Sequence, residues 1–482
     1  MILAIDQGTT GTTCLVVDEE LRIAGRGYRE LGQSYPQPGW VEHDPGEILR
    51  TVHEAAAGAL GAAGIAAGDL DAVGITNQRE TTVVWDRDGR PLHPAIVWQD
   101  RRTAERCREL PADLLRERTG LGPDPYFSAT KLEWLLARVE GDVLFGTVES
   151  WLAWNLTGGA AHVTDATNAS RTLLARLDPV GWDPELLAVF GVPEEVLPRI
   201  VPSSGVVGEA KIGGARVPLA GMAGDQQAAL FGQACFRPGD AKATYGTGSF
   251  VLANQGEEGG PPPHGILRTA AAQPGVTALE GAVFVTGAAV QWLRDGLGLI
   301  AEAAETEALA RSVESTGGVH FVPALTGLGS PHWDADARGL IAGITRGTGR
   351  AEIARAALEA IAFQTADVAA AMDVPMPVLR ADGGATRNAW LMQFQADILG
   401  LPVEVAGDSE MTALGAAALA GLAVGAWSGL DEVAAAWHLG ARYEPQMSRD
   451  EATERLVGWH AAVERARSRR SIWAGVRASM GA

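Results

Sequence analysis

Cysteine is nearly absent from the 482-residue chain: Cys14, Cys107 and Cys235 are the only three, and no two form a C-x-x-C pair. That spacing supports neither a disulfide framework nor a zinc site, and residence inside the cell follows. Long apolar runs are also missing, since nothing approaches the roughly 18 uninterrupted apolar residues of a membrane span. The chain opens on an apolar stretch at residues 2–5 followed by Asp6, without a basic segment or a cleavage-like site, so the expected location is the cytoplasm. The sequons at Asn155 and Asn168 carry little weight in that setting. Positive charge is scarce: 39 Lys and Arg against 59 Asp and Glu give a formal net charge of −20. Such a surface repels a phosphate backbone, so nucleic acid is not an expected partner. The one basic cluster, Arg465, Arg467, Arg469 and Arg470, reads as a solvated terminal helix, with an anion or partner site as the alternative.

Against these absences, 46% of residues are hydrophobic and 20% charged, the balance of a compact globular protein. The length fits two large α/β domains better than one. Residues 2–5 and 14–17 read as strands on either side of Asp6-Gln7-Gly8-Thr9-Thr10-Gly11, which makes a hairpin. P-loop and dinucleotide motifs need a helix straight after the glycine loop, and no G-x-x-x-x-G-K-[ST] occurs. Both are excluded. A third strand over 22–28, a helix over 47–60, strands over 72–75 and 82–85, and a core-facing helix over 129–140 follow.

The second half echoes the first. Strands over 241–244 and 249–253 flank Tyr245-Gly246-Thr247-Gly248, and each half ends in a strand, a Gly/Asp turn and a helix, at Gly224-Asp225-Gln226 and at Asp382-Gly383-Gly384. The echo predicts two related domains, 1–235 and 236–482, closing around a cleft. The segment 256–265 reads as a surface loop.

Four segments carry candidate chemistry. The two glycine/threonine loops suit a polyphosphate gripped from both sides, because glycine admits close approach, hydroxyls and amides donate to phosphate oxygens, and Asp6 is placed to face a metal ion. Asp225 is explained either as a helix N-cap or as a preorganised base for a hydroxyl nucleophile. Thr76-Asn77-Gln78-Arg79-Glu80-Thr81 reads either as a solvated turn or as a ligand loop in which Arg79 donates and Glu80 accepts. Trp98, Tyr126, Phe127 and Phe250 are candidates for an apolar wall, although most aromatics are core. Asp382-Gly383-Gly384-Ala385 and Asn388 suit close contact with a purine or ribose, or a plain turn.

Taken in this order, the segments resemble the FGGY family of carbohydrate kinases over nearly the full length. The resemblance rests on Asp6-Gln7-Gly8-Thr9-Thr10, Pro38-Gly39-Trp40-Val41-Glu42-His43-Asp44-Pro45, residues 74–82, Asp124-Pro125-Tyr126-Phe127-Ser128, residues 224–232 and Gln291-Trp292-Leu293-Arg294-Asp295. It implies two ribonuclease H-like domains of the actin type with a central cleft. It also implies ATP with Mg2+ and phosphorylation of a small polyol, glycerol first, with a larger sugar such as xylulose or gluconate as the alternative. On that basis Arg79, Glu80, Tyr126, Asp225 and Gln226 would bind the polyol hydroxyls, Trp98 and Phe250 would wall its carbon chain, and Thr9 would border both substrates. Thr9, Thr10, Gly11, Thr247, Gly287, Gln291, Gly384 and Asn388 would contact the nucleotide. Asp6 and Asp225 would organise Mg2+, with Asp225 the base, and a homo-oligomer, dimer or tetramer, is expected. Two departures stand out. Thr13 occupies a place where many relatives have an arginine, and Lys211-Ile212-Gly213-Gly214-Ala215-Arg216 is shorter than the loop that binds fructose 1,6-bisphosphate in some bacterial relatives, so that regulation is not expected.

Overall fold

The computed structural model describes residues 1–468, so Arg469 and Arg470 of the basic cluster lie outside the described residues. Arg465 sits in the terminal helix Arg449–Ala466, and Arg467 pairs with Glu464 just at its end.

Two mixed sheets organise the chain. The first holds β1 (Ile2–Gln7), β2 (Gly11–Val17), β3 (Ile23–Glu30), β4 (Ala72–Asn77), β5 (Ser204–Ile212) and β6 (Ala215–Gly224), in the order β5-β6-β4-β1-β2-β3. The second holds β7 (Ala241–Tyr245), β8 (Ser249–Gly256), β9 (Leu267–Ala270), β10 (Thr277–Val283), β11 (Leu379–Asp382), β12 (Val403–Ala406) and β13 (Leu439–Tyr443), in the order β9-β10-β8-β7-β11-β12-β13. Six strands of the second sheet match the six of the first in position, and β9 at its edge has no counterpart. β1 pairs antiparallel with β2 and parallel with β4, and β7 pairs antiparallel with β8 and parallel with β11. The central strands β1 and β4 are buried along nearly their whole length, which is why they read as apolar runs rather than alternating patterns.

Helix α1 (Pro45–Ala63) starts at Asp44, whose carboxylate accepts from the Gly46 amide, and it covers β2 and β3 with Val52, Ala55, Ala56 and Ala59. Helix α2 (Asp225–Gly232) leaves β6, and α3 (Arg350–Met372) and α4 (Ala389–Leu399) pack in the second half. Helix α5 (Met411–Val424) follows β12 but lies against β1, β4 and β6 of the first sheet. It is apolar nearly all round, as a helix buried on every side must be. Where α2 and α5 cross, a Cβ on Gly415 would stand 1.9 Å from the Ala228 carbonyl oxygen, and one on Gly232 would stand 2.1 Å from that of Met411. Glycine is what allows the two backbones to touch.

Local readings shift in two places. The helix expected over 129–140 spans Ser128–Leu136, its end coming before the Gly141 turn. After β11 the chain makes a short 3-10 turn, Gly384–Arg387, before α4 begins. The β5–β6 hairpin is closed by Gly213 and Gly214 alone, both with positive φ, the two-residue turn that matches strand twist.

Candidate active site

The polar segment 76–81 is no solvated turn. It follows β4 into the interior, where Arg79 is 2% and Glu80 1% exposed. Glu80 holds a left-handed backbone conformation, φ 62°, which costs a non-glycine residue about 1–3 kcal/mol and needs surrounding structure to hold it. That structure includes Ser128 and Thr82, whose hydroxyls donate to the Glu80 carbonyl at 3.1 and 3.2 Å.

Around this turn lies a buried charge cluster. Arg79 Nη1 and Nη2 grip Glu280 at 2.5 and 3.1 Å, while its Nε meets Asp225 Oδ1 at 3.0 Å. Arg171 donates from Nε to Glu80 at 2.6 Å, and its Nη2 lies 3.1 Å from Glu280. Burial would raise the Glu280 pKa, but Arg171 and Arg79 overcome it and hold the carboxyl down at about 2. Glu80 goes the other way, raised by burial beyond what Arg171 and Arg79 offset. Glu280 and Arg171 were not legible as site residues: one sits inside an apolar strand and the other far along the chain, with no local motif.

Aromatic rings border the cluster. Trp98 and Tyr126 meet edge to face at 5.7 Å, Arg79 lies 5.7 Å from the centre of the Phe250 ring, and Phe127 is buried behind Tyr126. Trp98 Nε1 donates to Thr9 Oγ1 at 2.8 Å, which ties the wall to the first glycine loop.

Asp225 is the first residue of α2, and its side chain accepts from the Gln226 amide at 2.7 Å. Gly224, which has no side chain, holds the N-cap place, so Asp225 is not the N-cap residue, and its bond to the Gln226 amide lies within the first turn. The Asp225 side chain keeps 31% exposure, which distinguishes it from the buried carboxylates nearby. Gln226 is buried, and its Oε1 accepts from Lys242 Nζ at 2.5 Å.

Asp6 is the penultimate residue of β1, opposite Thr13. Its pKa is pushed up to about 8, first by burial and then by Asp225 and Glu410. Among the described residues no three His, Cys, Asp or Glu side chains gather into a cation-binding group. Mg2+ at a nucleotide site takes one or two carboxylates, with phosphate oxygens and water completing the shell. Asp6 and Asp225, close enough for the Asp225 charge to help raise the Asp6 pKa, fit that donor set.

In the second half a cavity of about 450 Å³ is lined by Thr247, Gly287, Gln291, Gly384 and Asn388. It gathers the expected nucleotide contacts from that half, whereas Thr9, Thr10 and Gly11 lie outside its lining. Val290, Leu358, Ile361 and Leu391 give it apolar walls, and Arg294 and Arg387 add cations that the sequence reading missed. The loop 245–248 is pinned, since Gly246 and Thr247 carbonyls accept from the Gly287 and Thr286 amides at 3.0 and 2.9 Å. Asn388 also caps α4 by accepting from Leu391 N. At the end of the first loop a Cβ at Gly11 would fall 2.7 Å from the Arg29 carbonyl oxygen, so only glycine fits beside that strand.

The N-terminal domain model of the FGGY family of carbohydrate kinases matches residues 1–232, and the C-terminal domain model matches residues 241–424. The chain is 56% identical to a glycerol kinase of Aromatoleum aromaticum over 97% of this chain and 98% of that one. It is 53% identical to glycerol kinase 2 of Thermotoga maritima over 96% and 98%. A crystal structure of Plasmodium falciparum glycerol kinase with ADP superposes with a TM-score of 0.89 at 37% identity, covering 96% of this chain and 98% of that one. A ligand-bound xylulose kinase from Lactobacillus acidophilus shares the fold at a TM-score of 0.86 and 23% identity.

Proposed function

This chain belongs to the FGGY family of carbohydrate kinases, and from that premise we propose that it transfers the γ-phosphate of ATP to glycerol, giving sn-glycerol 3-phosphate and ADP. The observation that carries the reading is Asp225: a half-exposed carboxylate fixed at the start of α2 by Arg79 and the Gln226 amide, beside the buried Arg79–Glu80 pair and the Trp98–Tyr126 wall. High identity to glycerol kinases over almost the entire chain favours glycerol over xylulose or gluconate, whose kinases share the fold at lower identity.

In this reading residues 1–235 hold the acceptor and residues 236–482 the nucleotide. The adenine end of ATP occupies the cavity between Leu358 and Gly384, and the phosphates reach between the loops at 8–11 and 245–248. Arg79 and Glu80 hold neighbouring hydroxyls of glycerol, one donating and one accepting, and the rings of Trp98 and Phe250 cover its carbons. Asp225 takes the proton from a terminal hydroxyl as that oxygen bonds to the γ-phosphorus and the bond to the β-phosphate oxygen breaks. Bound near Asp6 and Asp225, Mg2+ supplies charge neutralisation of the phosphates. Closure of the halves excludes water, which would otherwise compete as the acceptor. Three free, buried cysteines agree with a cytoplasmic setting.

The test is phosphorus NMR of the products formed from ATP and glycerol, run with the wild type and with Asp225→Asn. A primary phosphomonoester is expected, its sn-3 configuration read by oxidation with a stereospecific glycerol 3-phosphate dehydrogenase, with turnover lowered about 10²–10⁴-fold in the variant, the usual worth of a general base. Formation of inorganic phosphate alone, or wild-type turnover by the variant, contradicts the reading.

A further inference from the structure

Lys242 is wholly buried on β7, yet none of the roles above uses it. Its ammonium donates to Gln226 Oε1 at 2.5 Å and to Thr244 Oγ1 at 2.9 Å. Thr244 in turn bonds Asp382, which accepts from Gln233 Nε2 at 2.8 Å and is followed directly by the Gly383-Gly384 turn at the nucleotide cavity. β7 and β11 bring this about by register, with Thr244 opposite Asp382. A buried ammonium is costly: burial lowers the Lys242 pKa to about 8, with Asp382 first and then Asp225 and Glu280 offsetting part of it.

The chemistry of lysine decides how Gln226 points. An ammonium has three donors and no acceptor, so the atom it meets must be the amide oxygen. Ordinarily the oxygen and nitrogen of a glutamine are assigned from their partners, and here one partner leaves no choice. The Gln226 Nε2 donor is therefore turned away from Lys242.

We propose that Lys242 is a positioning residue for the acceptor site: by fixing the Gln226 carboxamide oxygen, it commits Gln226 to donate a hydrogen bond to a polyol hydroxyl rather than accept one. The consequence is specificity. Arg79 and Gln226 then both donate while Glu80 and Asp225 accept, so two hydroxyl oxygens and two hydroxyl protons of the polyol each have a fixed partner type. The Thr244–Asp382 link places the same lysine between the acceptor and nucleotide sites, on strands of the second half reaching a helix of the first. The proposal rests on reading Gln226 as an acceptor contact, and the experiment separates the two.

The test is a double-mutant cycle on KM for glycerol with Lys242→Met, Gln226→Ala and the pair, together with Gln226→Glu and thermal melts of each. Lys242→Met and Gln226→Ala should each raise KM for glycerol about tenfold, the worth of one hydrogen bond, and the pair should raise it no further than Gln226→Ala does alone. Gln226→Glu should keep its melting temperature, because a carboxylate pairs with Lys242, yet lose glycerol affinity, because the donor has become an acceptor. Additive effects in the pair, or wild-type glycerol KM in Gln226→Glu, would overturn the positioning role. An unchanged KM in Gln226→Ala would remove the acceptor-site reading beneath it as well. If Lys242→Met does not fold, Gln226→Glu decides.

Discussion

Arg79 touches two carboxylates at once, Glu280 and Asp225, and lies 3.9 Å from a third, Glu80. Removing one partner from such a buried set strands a charge, which costs about 3–5 kcal/mol. Glu280→Gln keeps the shape and removes one charge, so at neutral pH a loss of about 3 kcal/mol is expected by urea unfolding. The sign with pH is fixed by the depressed Glu280 pKa of about 2. Its contribution is complete above the ordinary glutamate range near 4.5 and vanishes as pH falls through about 2. The gap between wild type and variant should therefore narrow on acidification across that window; a gap constant with pH would contradict the cluster's electrostatics. At this scale the sequence was only partly readable. Arg79, Glu80 and Asp225 stood next to turns and drew attention, whereas Glu280, Arg171 and Lys242 are single charges in or beside apolar segments. Only the pairing of distant strands shows what each one faces.

Helices α2 and α5 are held in contact at Gly232 and Gly415, and α2 begins at Asp225. A methyl at residue 415 has no room, since the Ala228 carbonyl is part of the α2 backbone rather than a movable side chain. Gly415→Ala should force α2 outward, lowering stability by about 1–3 kcal/mol, the usual cost of overpacking. Displacement of the helix that carries Asp225, the proposed base, should also depress kcat more than it raises KM for ATP. Differential scanning calorimetry with steady-state kinetics checks both, and a variant with wild-type melting and turnover would show that the crossing tolerates a shift. The paired hairpins, α1 and the strand-turn-helix around Asp225 were legible from periodicity and turn residues. The path of α5 was not, because a helix apolar on all sides says only that it is buried, not against which sheet.

The inner strands of the two sheets repeat one arrangement, with Asp6 and the turn after β1 in the first half at the place that Tyr245 and the turn after β7 hold in the second. Charge pairing crosses from one half to the other through Arg79 and Glu280, and hydrogen bonding crosses through Lys242 and Gln226. The proposed acceptor and nucleotide sites are thus joined by contacts that closure of the halves would tighten, so ATP cleavage should depend on an occupied acceptor site. The echo of one half in the other was readable from the two glycine/threonine loops, but the bonds between halves were not. The most direct test is ADP release in a coupled assay with Mg2+ and ATP, run without acceptor and then with glycerol, dihydroxyacetone, xylulose or gluconate. Glycerol should accelerate ADP release far above the acceptor-free rate and above xylulose and gluconate, whereas release indifferent to glycerol, or fastest with xylulose or gluconate, would contradict the account.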